Sequence, residues 1–137
     1  MMDEFRALIE VADRHDIQIG VEPELANIVS SAKKARTLID SLGSDRIRIV
    51  LDPANLAEVA TPEDRRAIIA SAVDLLADRI IMAHAKDRQA DGSFATAGKG
   101  VVDLPHFLAA LHKVGFDGSL ITPGLADHEA AGVAAFL

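Results

Sequence analysis

The chain contains no cysteine, no tryptophan and no tyrosine, and only five phenylalanines among its 137 residues. Without cysteine there is no disulfide, no thiolate nucleophile and no cysteine-bound zinc. The scarcity of aromatic rings leaves little for stacking on bases or sugars. Positive charge is short as well: 14 Lys and Arg stand against 21 Asp and Glu, a formal net charge of −7. Broad nucleic-acid binding rests on neutralising phosphates with basic side chains, so no nucleic-acid partner is expected. No apolar run approaches the roughly 20 residues of a membrane span. The opening MMDEFRALIEVADRHD is acidic and helix-patterned, whereas a secretory signal needs a basic start and an apolar stretch. A soluble cytoplasmic protein is the expectation.

What is present is half apolar and 26% charged, a globular balance over one domain length, residues 1–137. Residues 2–15 carry Phe5, Leu8, Ile9 and Ala12 at helical spacing. DIQIGVE reads as a short strand, 26–42 as a helix stopped at Gly43, and Arg46 to Leu51 as the next strand. Thr61, Pro62 and Glu63 form a helix start: hydroxyl cap, proline at the first position, acid in the first turn. That helix runs to about Ala77, followed by a nearly all-apolar strand from Arg79 to His84, as befits a strand covered on both faces. A polar loop, Lys86 to Lys99, is long enough to be functional or mobile. Asp103 and Pro105 open a helix through Val114, then come a strand at Ser119 to Thr122 and a helical tail from Ala126.

Alternating helices and strands in units of this length demand parallel strands with right-handed crossovers. An open doubly wound sheet and part of a (β/α) barrel both satisfy the order. No G-x-G-x-x-G follows a strand, and Gly98-Lys99-Gly100 in the long loop is a weak phosphate signal by itself.

In either architecture ligands sit at the carboxyl ends of the strands. Glu22, Asp52 and His84 fall there, 30 and then 32 residues apart, and the fourth strand end, 39 residues later, carries Pro123. Two carboxylates and one imidazole suit Mn²⁺, Mg²⁺, Co²⁺ or Zn²⁺. Taken singly, an acid before proline reads as a turn or cap, and a histidine on an apolar strand as a core residue. Lys86 shares the phase of His84 and is placed to meet substrate oxygens or a carboxylate, with Arg88 a second cation for the same task. His15, His106, His112 and His128 fall on helices, away from the strand ends; Asp103 and Asp117 read as a cap and a turn residue.

GVEPE, VLDPANL and HAKD, followed by GKGVVDLPHFLAALHKVGFDGSLI, resemble in order and spacing the xylose isomerase-like sugar phosphate isomerase/epimerase family, from about Ile17 to the end. The resemblance implies an α/β fold of parallel βα units forming the C-terminal half of a TIM (β/α)8 barrel. A full barrel takes about 250 residues, so self-association or a missing N-terminal half-barrel is implied too. It further implies Glu22, Asp52 and His84 as ligands of a divalent metal, with Glu22 doubling as general base. Lys86 would assist catalysis, and Asn55, Lys86 and Arg88 would contact a sugar or sugar phosphate. The reaction implied is isomerisation or epimerisation through a stabilised enediolate. Two departures bear on it. Pro123 stands where family members carry Glu or His, and Asn55 where catalytic members carry the His of D-x-x-H. An alternative of another class is a non-catalytic half-barrel that binds a partner or small molecule. A nuclease of the same barrel family is disfavoured by the acidic balance and the few histidines.

Overall fold

A computed structural model describes all 137 residues. Helix α1 is Met2–His15, strand β1 Ile19–Val21, α2 Ala32–Leu42, β2 Ile47–Leu51 and α3 the short Pro53–Leu56. Next come α4 at Pro62–Leu76, β3 at Ile80–His84, and the two-residue strands β4 (Asp87–Arg88) and β5 (Phe94–Ala95). Helix α5 covers Leu104–Lys113 and β6 Ser119–Ile121; a 3₁₀ turn at Asp127–Glu129 leads into α6, Ala130–Phe136. No helix is long and apolar enough to cross a membrane.

Hydroxyls and carboxylates set the helix starts. Ser31 accepts from Lys34 N, Thr61 from Asp64 N and Asp103 from His106 N. Each such cap satisfies a donor the helix leaves free and contributes about 1 kcal/mol. Three expectations are corrected. Helix α2 begins at Ala32 rather than 26, because Glu24 N bonds Val29 O and Asn27 N bonds Glu24 O in a compact turn ahead of the Ser31 cap. Asp52-Pro53 opens the unexpected α3 by the cap-plus-proline device seen at Thr61-Pro62. The long polar loop holds a hairpin, with Asp87 paired to Ala95 and Arg88 to Phe94.

The four main strands form a parallel sheet in the order β1-β2-β3-β6, half of the eight strands that close a TIM barrel. One face, with Ile47, Ile49, Leu51 and Ala83 fully buried, packs under the helices against Ile69, Val73, Leu76, Leu104 and Phe107. Burying a side chain of this size stabilises by roughly 1.5–3 kcal/mol, and the helices are held to the sheet mainly this way. The opposite face carries Gly20, Arg48, Val50, Met82, Ser119 and Ile121 in alternation. It is open: Ile121 is 41% exposed, and β1 and β6 each leave one edge unpaired.

Candidate metal centre

Strand parity brings the site together. Glu22 follows the last residue of β1, Asp52 follows β2, and His84 closes β3. Between β2 and β3 the register slips: Ile49 pairs with Ile80, but Val50 pairs with Met82 and Leu51 with Ala83. The extra residue on β3 is a bulge, which sets the next position, Asp52, beside His84. In the unslipped register Asp52 would neighbour Ala83, whose side chain faces the helices. On the far side His84 pairs with Ile121, so Pro123 lies two residues beyond the level of the histidine, exposed and without a ligating group.

The ligand atoms of Glu22, Asp52 and His84 all lie within 4.8 Å of one another. His84 Nδ1 is 3.3 Å from Glu22 Oε1 and 3.6 Å from Asp52 Oδ2. Asp52 is fully buried and divides its work: Oδ1 accepts from Ala54 N (2.8 Å) and Asn55 N (3.1 Å), capping α3. Oδ2 is buried with no hydrogen-bond partner. Burial pushes the Asp52 carboxyl above the usual aspartate range; the Lys86 ammonium and the α3 N–H groups pull it down, and Glu22 adds to the rise. A buried carboxylate oxygen left without a partner is costly, and a cation between Asp52, His84 and Glu22 removes that cost. On this observation the two oxygens and one imidazole fit a divalent metal. Asp52 therefore caps α3 through Oδ1, one of the two readings the sequence allowed, and keeps Oδ2 available for the other.

Around this triad lies a charged ring. Lys86 Nζ donates to Asn55 Oδ1 at 2.7 Å and stands 3.6 Å from Asp52 Oδ2. Arg88 donates from Nη1 to Gly92 O (2.9 Å) and from Nη2 to Asn55 Oδ1 (3.4 Å), with Glu58 3.7 Å away. The Phe94 ring, 65% exposed, has Lys86 5.2 Å and Arg88 5.5 Å from its centroid. Asn55, 2% exposed, donates from Nδ2 to Glu22 Oε1 at 2.9 Å. Its carbonyl oxygen is already taken by two cations, which leaves little of the amide for a substrate. His15, His106, His112 and His128 stay on α1, α5 and the 3₁₀ turn, and none joins the cluster.

The sequence reading missed Asp87. Its carboxylate is 1% exposed and accepts four backbone N–H groups: Arg88 (2.9 Å) and Val102 (3.0 Å) on Oδ1, Gly98 (3.0 Å) and Gly100 (2.8 Å) on Oδ2. Glu58 and Phe94 were missed as well. The available signal was the acid of HAKD opening a loop that ends in Gly-Lys-Gly: an anion facing backbone that only glycine lets approach closely.

A profile of the xylose isomerase-like TIM barrel family matches residues 1–134. The chain belongs to that family. Among solved structures it resembles, a D-tagatose 3-epimerase-like protein superposes with a TM-score of 0.78 at 18% identity, covering 98% of this chain and 51% of the other. The probable 3-DHS dehydratase AsbF of Bacillus anthracis gives 0.79 at 12%, covering 98% and 53%. The IOLI protein with a binding zinc atom gives 0.72 at 21%, covering 98% and 52%. The chain thus spans about half the length of these proteins, and at such identities the likeness establishes the fold alone. A search of the curated proteins finds no match. The spread from epimerase to dehydratase illustrates that one barrel hosts several reactions and that the side chains at the strand ends must decide.

Proposed function

We propose that this half-barrel carries the divalent-metal site of a sugar or sugar-phosphate isomerase/epimerase. The observation that carries the reading is the orphaned Oδ2 of buried Asp52, facing His84 Nδ1 and beside Glu22 at the carboxyl ends of adjacent parallel strands. Glu22, Asp52 and His84 would hold Mn²⁺, Mg²⁺, Co²⁺ or Zn²⁺. When bound, the metal supplies Lewis-acid polarisation of a carbonyl and its neighbouring hydroxyl. Glu22 Oε2, free of the contacts that engage Oε1, is the base that removes the proton from the hydroxyl-bearing carbon next to the carbonyl and returns it to the former carbonyl carbon, which completes isomerisation. Lys86 stabilises the oxyanion that develops on the substrate and returns a proton to it. Arg88 and the Phe94 ring wall the approach and orient the sugar.

A second reading, a binding half-barrel without turnover, is favoured by Pro123 and Asn55, neither of which exchanges protons at neutral pH. Deuterium uptake from D2O into a panel of ketoses and ketose phosphates with Mn²⁺ separates the two. The enzymatic reading expects exchange that needs Glu22 and rises in Pro123→Glu, where an acid is restored beyond β6. No exchange in either protein leaves only the binding reading.

The open face and the two unpaired edges favour completion of the barrel by another half, either a second copy or four further βα units. Alone, the chain is expected to associate. Light scattering on the purified chain checks this, and a stable monomer would overturn it.

A further inference from the structure

Asn55 stands between the acids and the bases of the site and bonds to both. Its Nδ2 donates to Glu22 Oε1 at 2.9 Å, while its Oδ1 accepts from Lys86 Nζ at 2.7 Å and Arg88 Nη2 at 3.4 Å. Only this orientation of the amide works, since the flipped one would set oxygen against a carboxylate and N–H against two cations. Its own backbone N–H adds a bond of 3.1 Å to Asp52 Oδ1. One residue therefore touches two of the three candidate ligands and both neighbouring cations, while being 2% exposed.

We infer that Asn55 is a positioning residue for the metal centre: it orients the Glu22 carboxylate and tethers Lys86 beside Asp52. The inference rests on the metal reading above and replaces substrate contact as the role of this side chain. The carboxylate of Glu22, one residue past an edge strand and with its side chain 35% exposed, has several rotamers open to it. A fixed N–H on Oε1 selects one and leaves that oxygen a second lone pair for a cation. The tether acts on charge: Lys86 lies 3.6 Å from Asp52 Oδ2, close enough to compensate the carboxylate without forming a hydrogen bond to it. Oδ2 is thereby left for a stronger cation. Without Asn55, Lys86 is released to pair directly with Asp52 or Glu22 and competes with the metal.

The test is the Mn²⁺ dissociation constant of Asn55→Ala, measured by paramagnetic resonance of free Mn²⁺ well below the melting temperature. Groups that hydrogen-bond metal ligands typically change affinity about 10–100-fold, and a weakening of that size is expected. Lys86→Met in the Asn55→Ala background should recover part of it, because the released competitor is gone; a purely structural role predicts no such recovery. Asn55→Ser is measured alongside and gives the same reading if the alanine variant folds poorly. Unchanged affinity in both Asn55 variants, with binding lost in Glu22→Ala, overturns this inference alone. Absence of Mn²⁺ binding in the parent chain overturns the metal reading and this inference together.

Discussion

Asp87→Ala is expected to lower the melting temperature of the chain by roughly 10–15 °C, through loss of about 3–5 kcal/mol. Four N–H groups converge on this one carboxylate, and bonds to a charged acceptor contribute about 1.5–3 kcal/mol each before the entropy of ordering the segment is subtracted. The residues bound are spread from Arg88 to Val102, so a single side chain ties together the two ends of the segment between β3 and α5. Asp87→Asn keeps one acceptor oxygen but turns an amide N–H toward the other donors, and is expected to recover only part of the loss. The same structure makes a matching statement about Gly100. A Cβ there would lie 2.2 Å from Arg88 O and 2.3 Å from Asp87 Oδ1, so alanine must displace backbone. Thermal unfolding of the variants checks this; melting unchanged in both Asp87 variants removes the clamp. The consequence reaches the site, because Lys86 and Arg88 flank Asp87 and lose their anchorage beside Asn55 with it.

How much of this was readable in advance differs by residue. Glu22, Asp52 and His84 were legible because they sit at the ends of apolar, β-branched segments, and parallel strands deliver such ends to one side. The caps at Thr61 and Asp103 were legible because an N-cap is a local event, decided within four residues. Helix α3 follows the same rule and was equally available in Asp52-Pro53. The bulge on β3 was not: nothing within IIMAH announces which residue will be left unpaired, since register depends on the partner strand and on packing under the helices. Asn55 was visible only as a departure from a family pattern. Its bonds reach Glu22 just past one strand and Lys86 beyond another, and such partners are fixed by the fold rather than by neighbours in the chain. Asp87 escaped for the same reason, its donors lying up to fifteen residues downstream.

Replacing His84 or Glu22 by alanine is expected to weaken Mn²⁺ or Co²⁺ binding by about 100-fold or more, since loss of a direct ligand exceeds the 10–100-fold cost of losing its hydrogen-bond partner. The effect has a thermal readout. At a metal concentration 100 times its dissociation constant the parent chain gains about 2.7 kcal/mol, which for a chain of this length raises the melting temperature by roughly 10 °C. A 100-fold weaker variant gains only about 0.4 kcal/mol at the same concentration. Melting temperatures that respond to metal equally in parent, Glu22→Ala and His84→Ala would sink the ligand assignment. Asp52 adds a pH signature of definite sign. Its carboxyl titrates above the usual aspartate range because burial disfavours the charge. In the metal-free protein it therefore favours folding fully below its unfolded pKa, and that contribution is lost as pH rises through the folded pKa. Metal binding takes the deprotonated carboxylate, so affinity should climb through the same interval. Asp52→Asn retains an oxygen to cap α3 but has no charge to desolvate or to bind. In that variant the folding contribution that falls with rising pH should vanish and metal affinity should drop. The group that makes the metal-free fold less comfortable at neutral pH is thus the one that gives a cation its strongest reason to bind.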